Sequence, residues 1–385
     1  MALADYQKIT RVTSGKPFGN GSDGAYSSAT IPTMKVKACT GTATATKFAA
    51  DTDATPFEVD DIILLHQSRG TGVGQWEIVK VSSVGSDEYN TSTALNYSYT
   101  TKAQATVIKQ YTDVTVETGT WALPAWNGTT GGTLVFACNG TLTVTGTIHG
   151  HGGNGAAGSG GRAGGTGGGF RGGASFGGVG DDGPGYQGEG TPGGGAKAYT
   201  ANGNGGGGQG GGSNDGASGG GNGAVGTAGG GSSIGGTVGG VAALTTMVFG
   251  GGGGGTGKQT TYNIGSGGSG GGVIAIFAKD IATITGSILM TGGNGASGEN
   301  NYGGGGGAGG SVLIQCGTAA LGATKIVSSG GSAGTGGGAG AVGRIAVHRS
   351  GTVTGTTSPT FSDTEDSSLV ETTASSGATG FFHFM

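Results

Sequence analysis

The chain has 385 residues, 99 of them glycine and only 7 proline, with a formal net charge of −4. Its 18 Lys+Arg against 22 Asp+Glu leave no basic face of the size that phosphate neutralisation needs, which argues against nucleic-acid partners. Seven prolines and no strict three-residue glycine period exclude collagen, and no apolar run approaches the 18 residues of a membrane span, so no membrane insertion is expected.

The N-terminus, MALADYQKIT, carries Lys8 and Arg11 with no apolar run behind them. No signal peptide is expected, and synthesis and assembly inside a cell follow as the expectation. Residues 1–130 then read as an N-terminal β domain for assembly or attachment. Strand-like segments are MKVKACT (34–40), DIILLHQ (61–67), QWEIVKVSSV (75–84), ATVIKQ (105–110) and DVTVETGTW (113–121), each rich in Val, Ile, Thr or aromatics. SRGTGVG (68–74) is expected to be a hairpin loop between the second and third. The expected fold is an all-β barrel or sandwich with Ile62, Leu64, Trp76 and Ile78 in its core, the stripe ending at Lys80.

Glycine is unevenly spread. Residues 1–150 hold 16 glycines, 151–350 hold 79 and 351–385 hold 4. Residues 131–355 form a glycine-rich repeat region. TLVFACNGTLTVTGTIHGHGGNGAAG (133–158) and VIAIFAKDIATITGSILMTGGNGASG (273–298) are copies of one unit, with GGNGA blocks at 152–156 and 292–296. SVLIQCGTAALGATKIVSSGGSAG (311–334) is a third copy and GRIAVHRSGTVTG (343–355) a truncated fourth. Two short strands followed by a glycine excursion predict rungs of a β-solenoid, with the excursions leaving on one side. The strands at 273–290 and 311–327 are expected to expose open edges. Cys138 and Cys316 fall at matching places, just after LVFA and VLIQ; with Cys39 they make an odd, widely spaced set, read as buried thiols in a reduced compartment.

The largest excursion, 151–272, poses a physical problem. Fixing each backbone residue costs ~1–2 kcal/mol, and glycine has no side chain to bury in return. Only backbone hydrogen bonds and close packing offset that cost. Polyglycine-II helices, extended with three residues per turn and no internal hydrogen bonds, meet the demand by pairing with their neighbours. Packed polyglycine-II excursions are therefore expected, with Gly252, Gly253 and Gly254 as structural positions inside the run 250–255. Side chains such as Phe170, Phe176, Tyr186, Tyr199, Tyr262 and Tyr302 are expected on the outside.

Glycine blocks interleaved with short variable segments on a β-rich base resemble the polyglycine-II adhesins at the tips of bacteriophage long tail fibres. GFRGGASFG (169–177), GYQGEG (185–190) and the strand–GGNGA units are also similar to glycine-rich surface or tail proteins of phages and bacteria. The resemblance implies a non-enzymatic structural role in a virion, made in the host cytoplasm, with receptor contacts in the loops between glycine helices. Phe170, Phe176, Tyr186 and Tyr199 are the candidate receptor-binding residues, toward a cell-surface polysaccharide or protein. The chain is expected to associate with itself, as a trimer or polymeric array, and with other virion or surface proteins. Alternatives are a bacterial surface or extracellular filament subunit and, more remotely, an ice-binding protein; the irregular excursions with Arg162, Arg171, Asp181, Asp182 and Glu189 do not supply the flat face that ice requires.

Other motifs weigh less. GGGGTGKQ (252–259) nearly spells a phosphate-binding loop, but Gln259 replaces the Ser/Thr that holds magnesium and no helix can follow. GGVGDD (177–182) matches part of a calcium nonapeptide, with Pro184 in place of its apolar anchor. Asp60–Asp61 and Asp181–Asp182 are adjacent on extended backbone and face apart, so they read as solvated turns. No cofactor is expected; His149 and His151, two apart and pointing the same way, are the one candidate metal pair, alongside the reading of a solvent-facing strand end. Residues 356–385 are a Ser/Thr/Asp-rich tail whose Phe381, Phe382 and Phe384 are expected to dock on a partner chain or the chain's own β domain.

Overall fold

A computed structural model describes residues 3–50, 56–177, 183–210, 215–258 and 262–370. Gln259, the Asp181–Asp182 pair and the expected docking of Phe381, Phe382 and Phe384 lie outside the described residues. The fold is essentially all-β.

After β1 (Tyr26–Ser28), six strands close a barrel: β2 (Val36–Gly41), β3 (Lys47–Ala50), β4 (Ile62–Gln67), β5 (Trp76–Val84), β6 (Glu88–Thr91) and β7 (Tyr99–Val107), in the order β2-β3-β6-β5-β4-β7. Residues 68–74 join β4 and β5 as the expected hairpin, setting Ile62 opposite Lys80 and His66 opposite Trp76. Phe48, Phe57, Ile63, Leu65, Val79, Val81 and Tyr89 fill the barrel. The unbroken apolar run of β4 has a simple cause. Ile63 and Leu65 face inward, while Ile62 and Leu64, with Trp76 and Ile78, face out into a second core. The stripe stops at Lys80, whose Nζ lies 2.6 Å from Asp60 Oδ1.

The second core lies between the barrel and a twelve-stranded parallel sheet. That sheet takes β1, β8 (Lys109–Tyr111), β9 (Val114–Val116), β10 (Thr120–Ala122), β11 (Thr133–Val144) and β12 (Thr147–His149). Five short strands follow in the glycine region: β13 (Ala157–Ser159), β14 (Phe176–Gly177), β15 (Gln209–Gly210), β16 (Thr256–Lys258) and β17 (Asn263–Gly265). The sheet resumes with β18 (Val273–Ile281), β19 (Ser287–Leu289), β20 (Ser311–Val327), β21 (Arg344–Arg349), β22 (Val353–Ser358) and β23 (Ser362–Glu365). Its main path, β1-β9-β11-β18-β20-β19-β12-β10, curls back because β20 pairs with β18 at its start and β19 at its end.

The sequence copies lie side by side in register. Leu134 is opposite Ile274, Ile274 opposite Val312, and Val312 opposite Ile345. Leu134, Phe136, Ile274, Ile276, Val312 and Ile314 bury into the curl, while Val135, Ala275, Leu313 and Ala346 on alternate positions pack toward the barrel. Cys138 and Cys316 flank Ala278 in the same row. The expectation of open edges at 273–290 and 311–327 is corrected: β18 is flanked by β11 and β20, and β20 by β18, β19, β21 and β22. The sheet also begins earlier than the repeats, since β8 and β9 pair with β11, and β10 with β12.

The glycine region is dense and mostly strandless. Within the run 250–255 every residue is buried and every peptide N–H reaches a different segment. Gly250 and Gly253 donate to Gly271 and Gly268, Gly251 and Gly254 to Gly221 and Ser218, Gly252 and Gly255 to Glu189 and Tyr186. Their carbonyls accept from Phe170 and Gly173, from Ala308 and Gly305, and from Gly206 and Gln209 in the same alternation. Six neighbours thus surround one segment, each touched at every third residue. A Cβ on Gly253 would lie 2.1 Å from the Gly305 carbonyl oxygen, one on Gly252 2.0 Å from that of Arg171, and one on Gly254 2.0 Å from that of Gly207. The near-match to a phosphate-binding loop is excluded by this arrangement, because its amides are already spent.

Two short 3-10 turns at the start, Asp5–Gln7 and Ile9–Arg11, tie the parts together. The Gln7 amide donates to the carbonyls of Thr245 (2.7 Å) and Trp76 (3.4 Å), the Gln7 carbonyl accepts from Gln315 (3.3 Å), and Lys8 Nζ lies 2.7 Å from Asp366.

Candidate functional site

Where the glycine bundle meets the barrel, a single buried carboxylate organises the surface above it. Glu189 is 2% exposed. It pairs with Arg69 from the β4–β5 hairpin and with Arg171, whose Nε lies at 2.9 Å. Trp126 Nε1–H (3.2 Å) and the Arg171 backbone N–H (3.1 Å) also donate to it. Burial alone would raise this carboxyl, but the hydrogen bonds from Arg171 and the charges of Arg171 and Arg69 hold it below its ordinary value. Two cations and two further N–H donors satisfy an acid that isolation would make costly.

Beneath this node lies an aromatic cluster. Phe249 sits 5.2 Å from Trp126, 5.4 Å from Phe170 and 5.7 Å from His66. His66 is fully enclosed, its Nε2 2.8 Å from the Met247 carbonyl oxygen and its Nδ1 3.0 Å from Ser68 Oγ. Burial lowers its pKa to about 4, so at neutral pH it is an uncharged bridge between barrel and bundle.

Above the node opens a cleft of ≈ 390 Å³ lined by Thr166, Arg171, Tyr186, Gln187, Glu189 and glycine backbone. One wall is held by Gln187, whose Nε2 donates to the Thr200 carbonyl (2.7 Å) and whose Oε1 accepts from Ala196 N–H (3.0 Å). Tyr186 is 36% exposed at the mouth. Lys197 Nζ stands 2.9 Å from the Phe176 ring centroid and 5.9 Å from that of Tyr186, a cation on two π faces.

The expected receptor residues therefore divide. Phe176 and Tyr186 gather round Lys197. Phe170 is 0% exposed, so its expected role as a surface contact is corrected: the ring packs on Trp126 and Phe249 because an apolar ring among glycines gains most by filling the space they leave. Tyr302 is likewise buried. Tyr199 is half-buried, its carbonyl accepting from Ile234 N–H (2.9 Å), and it does not line the cleft. Glu189, Arg69 and Arg171 as a unit escape sequence reading, since isolated charges 18 or more residues apart in glycine-rich chain make no pattern.

His149 and His151 do point the same way, their rings stacked at 3.9 Å and 5°. Partial burial and the neighbouring His151 lower the His149 pKa. Among the described residues, no group of three His, Cys, Asp or Glu is placed to hold a metal ion. Cys39, Cys138 and Cys316 are buried and free; burial pushes the Cys138 thiol up to about 11 and that of Cys316 up to about 12, so neither is a nucleophile at neutral pH. Asp61 accepts from Glu58 N–H at 2.8 Å and Asp60 pairs with Lys80, which leaves no converging acid pair there. No protein family, curated protein or solved structure matches the chain.

Proposed function

We propose that the chain is a non-enzymatic structural and receptor-binding protein of a virion, a bacteriophage tail-fibre or tail-tip component. In this reading the repeat strands are β-solenoid rungs, and the excursions are polyglycine-II helices that mount a recognition cleft rigidly. The observation that carries it is the surroundings of Gly250–Gly255. A helix of three residues per turn with no internal hydrogen bonds sends successive peptide groups to different neighbours and returns to each at the third residue. The alternation of six partners supports that conformation. The shared register of the copies supports the solenoid.

Such a scaffold serves binding rather than turnover. Side chains on a fixed backbone lose little freedom when a ligand arrives, and that lowers the cost of association. Tyr186 offers a ring face for sugar or apolar contact and Arg171 a donor beside it, toward a cell-surface polysaccharide or protein. Self-association, as a trimer or array, and contact with other virion proteins belong to the same reading. A bacterial surface or extracellular filament is the second reading, favoured by β1, β10 and β23, each of which has a ladder partner on one side only among the described residues; such edges invite pairing.

Mass spectrometry of purified virions and of surface filaments separates the two readings. Tyr186→Ala tests recognition. Its stability is expected to stay within about 0.5 kcal/mol of the parent, while attachment of the carrying particle to cells falls. Undiminished attachment would remove the cleft from the proposal.

A further inference from the structure

The internal repeat builds a second recess, away from the Tyr186 cleft. A groove of ≈ 460 Å³ is lined by His151, Asn154, Thr291, Asn294 and Ser329 over glycine backbone. Its side chains form two columns that follow the strand register. His149 is opposite Leu289, and Leu289 opposite Val327; two residues further on, His151, Thr291 and Ser329 make the first column. Asn154, Asn294 and Ser332 make the second. Backbone bonds carry the register past the strand ends: Gly152 N–H donates to Thr291 (2.8 Å), Gly292 to Ser329 (2.9 Å), Gly155 to Asn294 (2.8 Å) and Gly295 to Ser332 (2.9 Å).

The asparagines are fixed as well as aligned. Asn154 Oδ1 accepts from Asn294 N–H and Asn294 Oδ1 from Ser332 N–H, each at 2.8 Å. Each amide plane is set by the next rung, and the Nδ2 groups bond nothing among the described residues. Both side chains are exposed. At one end of the first column the His151 ring lies flat on His149.

This lining selects by chemistry. It contains no Lys, Arg, Asp or Glu, so an anionic ligand or a nucleic acid finds no countercharge. It contains no large apolar side chain for a lipid or an amphipathic helix. The amides of Gly152, Gly155, Gly292 and Gly295 are bonded to the next rung and those of Asn294 and Ser332 to asparagine side chains, so an added β-strand finds no continuous edge to pair with. What remains is a row of hydroxyl and amide groups repeating at the rung spacing, ~4.8 Å, which is close to the step of one pyranose ring in an extended chain. We propose that the groove binds a linear, neutral polysaccharide lying along the stack, one sugar per rung, with the His151 imidazole against the apolar face of the end sugar. The proposal is independent of the Tyr186 cleft.

The test uses the full chain and calorimetric titration with β-1,4-glucan, β-1,4-linked N-acetylglucosamine and α-1,4-glucan oligomers of one to six units. At least one series is expected to bind, with affinity rising through three units and then levelling. Asn154→Asp with Asn294→Asp keeps the Oδ acceptors that hold the ladder and deletes the Nδ2 donors. Affinity in that double variant is expected to fall at least tenfold with the melting temperature preserved, while Tyr186→Ala binds as the parent does. The proposal is overturned if no series binds, if affinity ignores length, if the double variant binds normally, or if Tyr186→Ala alone abolishes binding.

Discussion

In the barrel, Phe48, Phe57 and Tyr89 exclude water by filling space, with ring centroids 5.1–6.0 Å apart. In the run Gly250–Gly255, six consecutive residues are buried without a side-chain carbon among them, and neighbouring carbonyls occupy the places where Cβ atoms would stand. The barrel is therefore vulnerable to lost volume, and the bundle to added volume. Equal burial conceals opposite sensitivities.

The largest expected effect is on the bundle side. Gly253→Val drives a branched side chain into the Gly305 carbonyl and separates segments that share backbone bonds, at about 1–3 kcal/mol for each peptide group left unpaired. Failure to fold, or a steep drop in melting temperature, is expected; an unchanged melt breaks the contrast. Next comes Phe170→Ala, where a bundle residue behaves like a barrel one. Loss of about 3–5 kcal/mol is expected, read by denaturant unfolding, and a loss below 1 kcal/mol would return the ring to the surface.

The third test sits on the seam between the two regions. Burial holds the folded His66 pKa at about 4, below its ordinary 6.5, so between those values the unfolded chain takes up a proton that the folded chain refuses. Stability is thus complete above pH 6.5 and falls as the pH drops toward 4, by about 3 kcal/mol at most. His348, lowered in the same direction by burial, adds to the slope. Melting temperatures from pH 7 to 4.5 should fall for the parent and less steeply for His66→Gln. Equal slopes would mean that the seam does not sense protons through His66.

Much of the fold was legible because strands leave periodic marks. The hairpin at 68–74 and the matching of 133–158 with 273–298 follow from alternation and repetition; the stripe Ile62–Leu64–Trp76–Ile78, expected in the barrel's core, is buried instead on the barrel's outer face, and Ile63, Leu65, Val79 and Val81 fill the interior. The partner of that stripe was not legible. Met247, Val248 and Phe249, which pack against it, come from a short apolar stretch between glycines nearly two hundred residues away. The earliest copy of the strand motif is hard to see: TGTW (118–121) corresponds to TGTI (145–148), as the pairing of β10 with β12 shows, yet no glycine excursion follows it, and the excursion is the louder signal. At the cleft, Tyr186 stands out in the sequence as an aromatic among glycines, whereas Glu189 does not, because its place there depends on burial that no local pattern encodes.

The early turns around Gln7 have a consequence for how the molecule is made. Gln7 bonds to Gln315, 308 residues on, and Lys8 meets Asp366. Neither contact can form until residue 315, or for Lys8 residue 366, has left the ribosome. Contacts of such sequence separation are slow to close and late to gain. Gln7 and Lys8 are thus among the last of these residues to settle, and they settle across the barrel, the glycine region and the late strands together. A product truncated before β20 would keep only the first two copies and lack the clasp, and β18, which pairs with β20 along most of its length, would present an open strand edge to the cell's quality control.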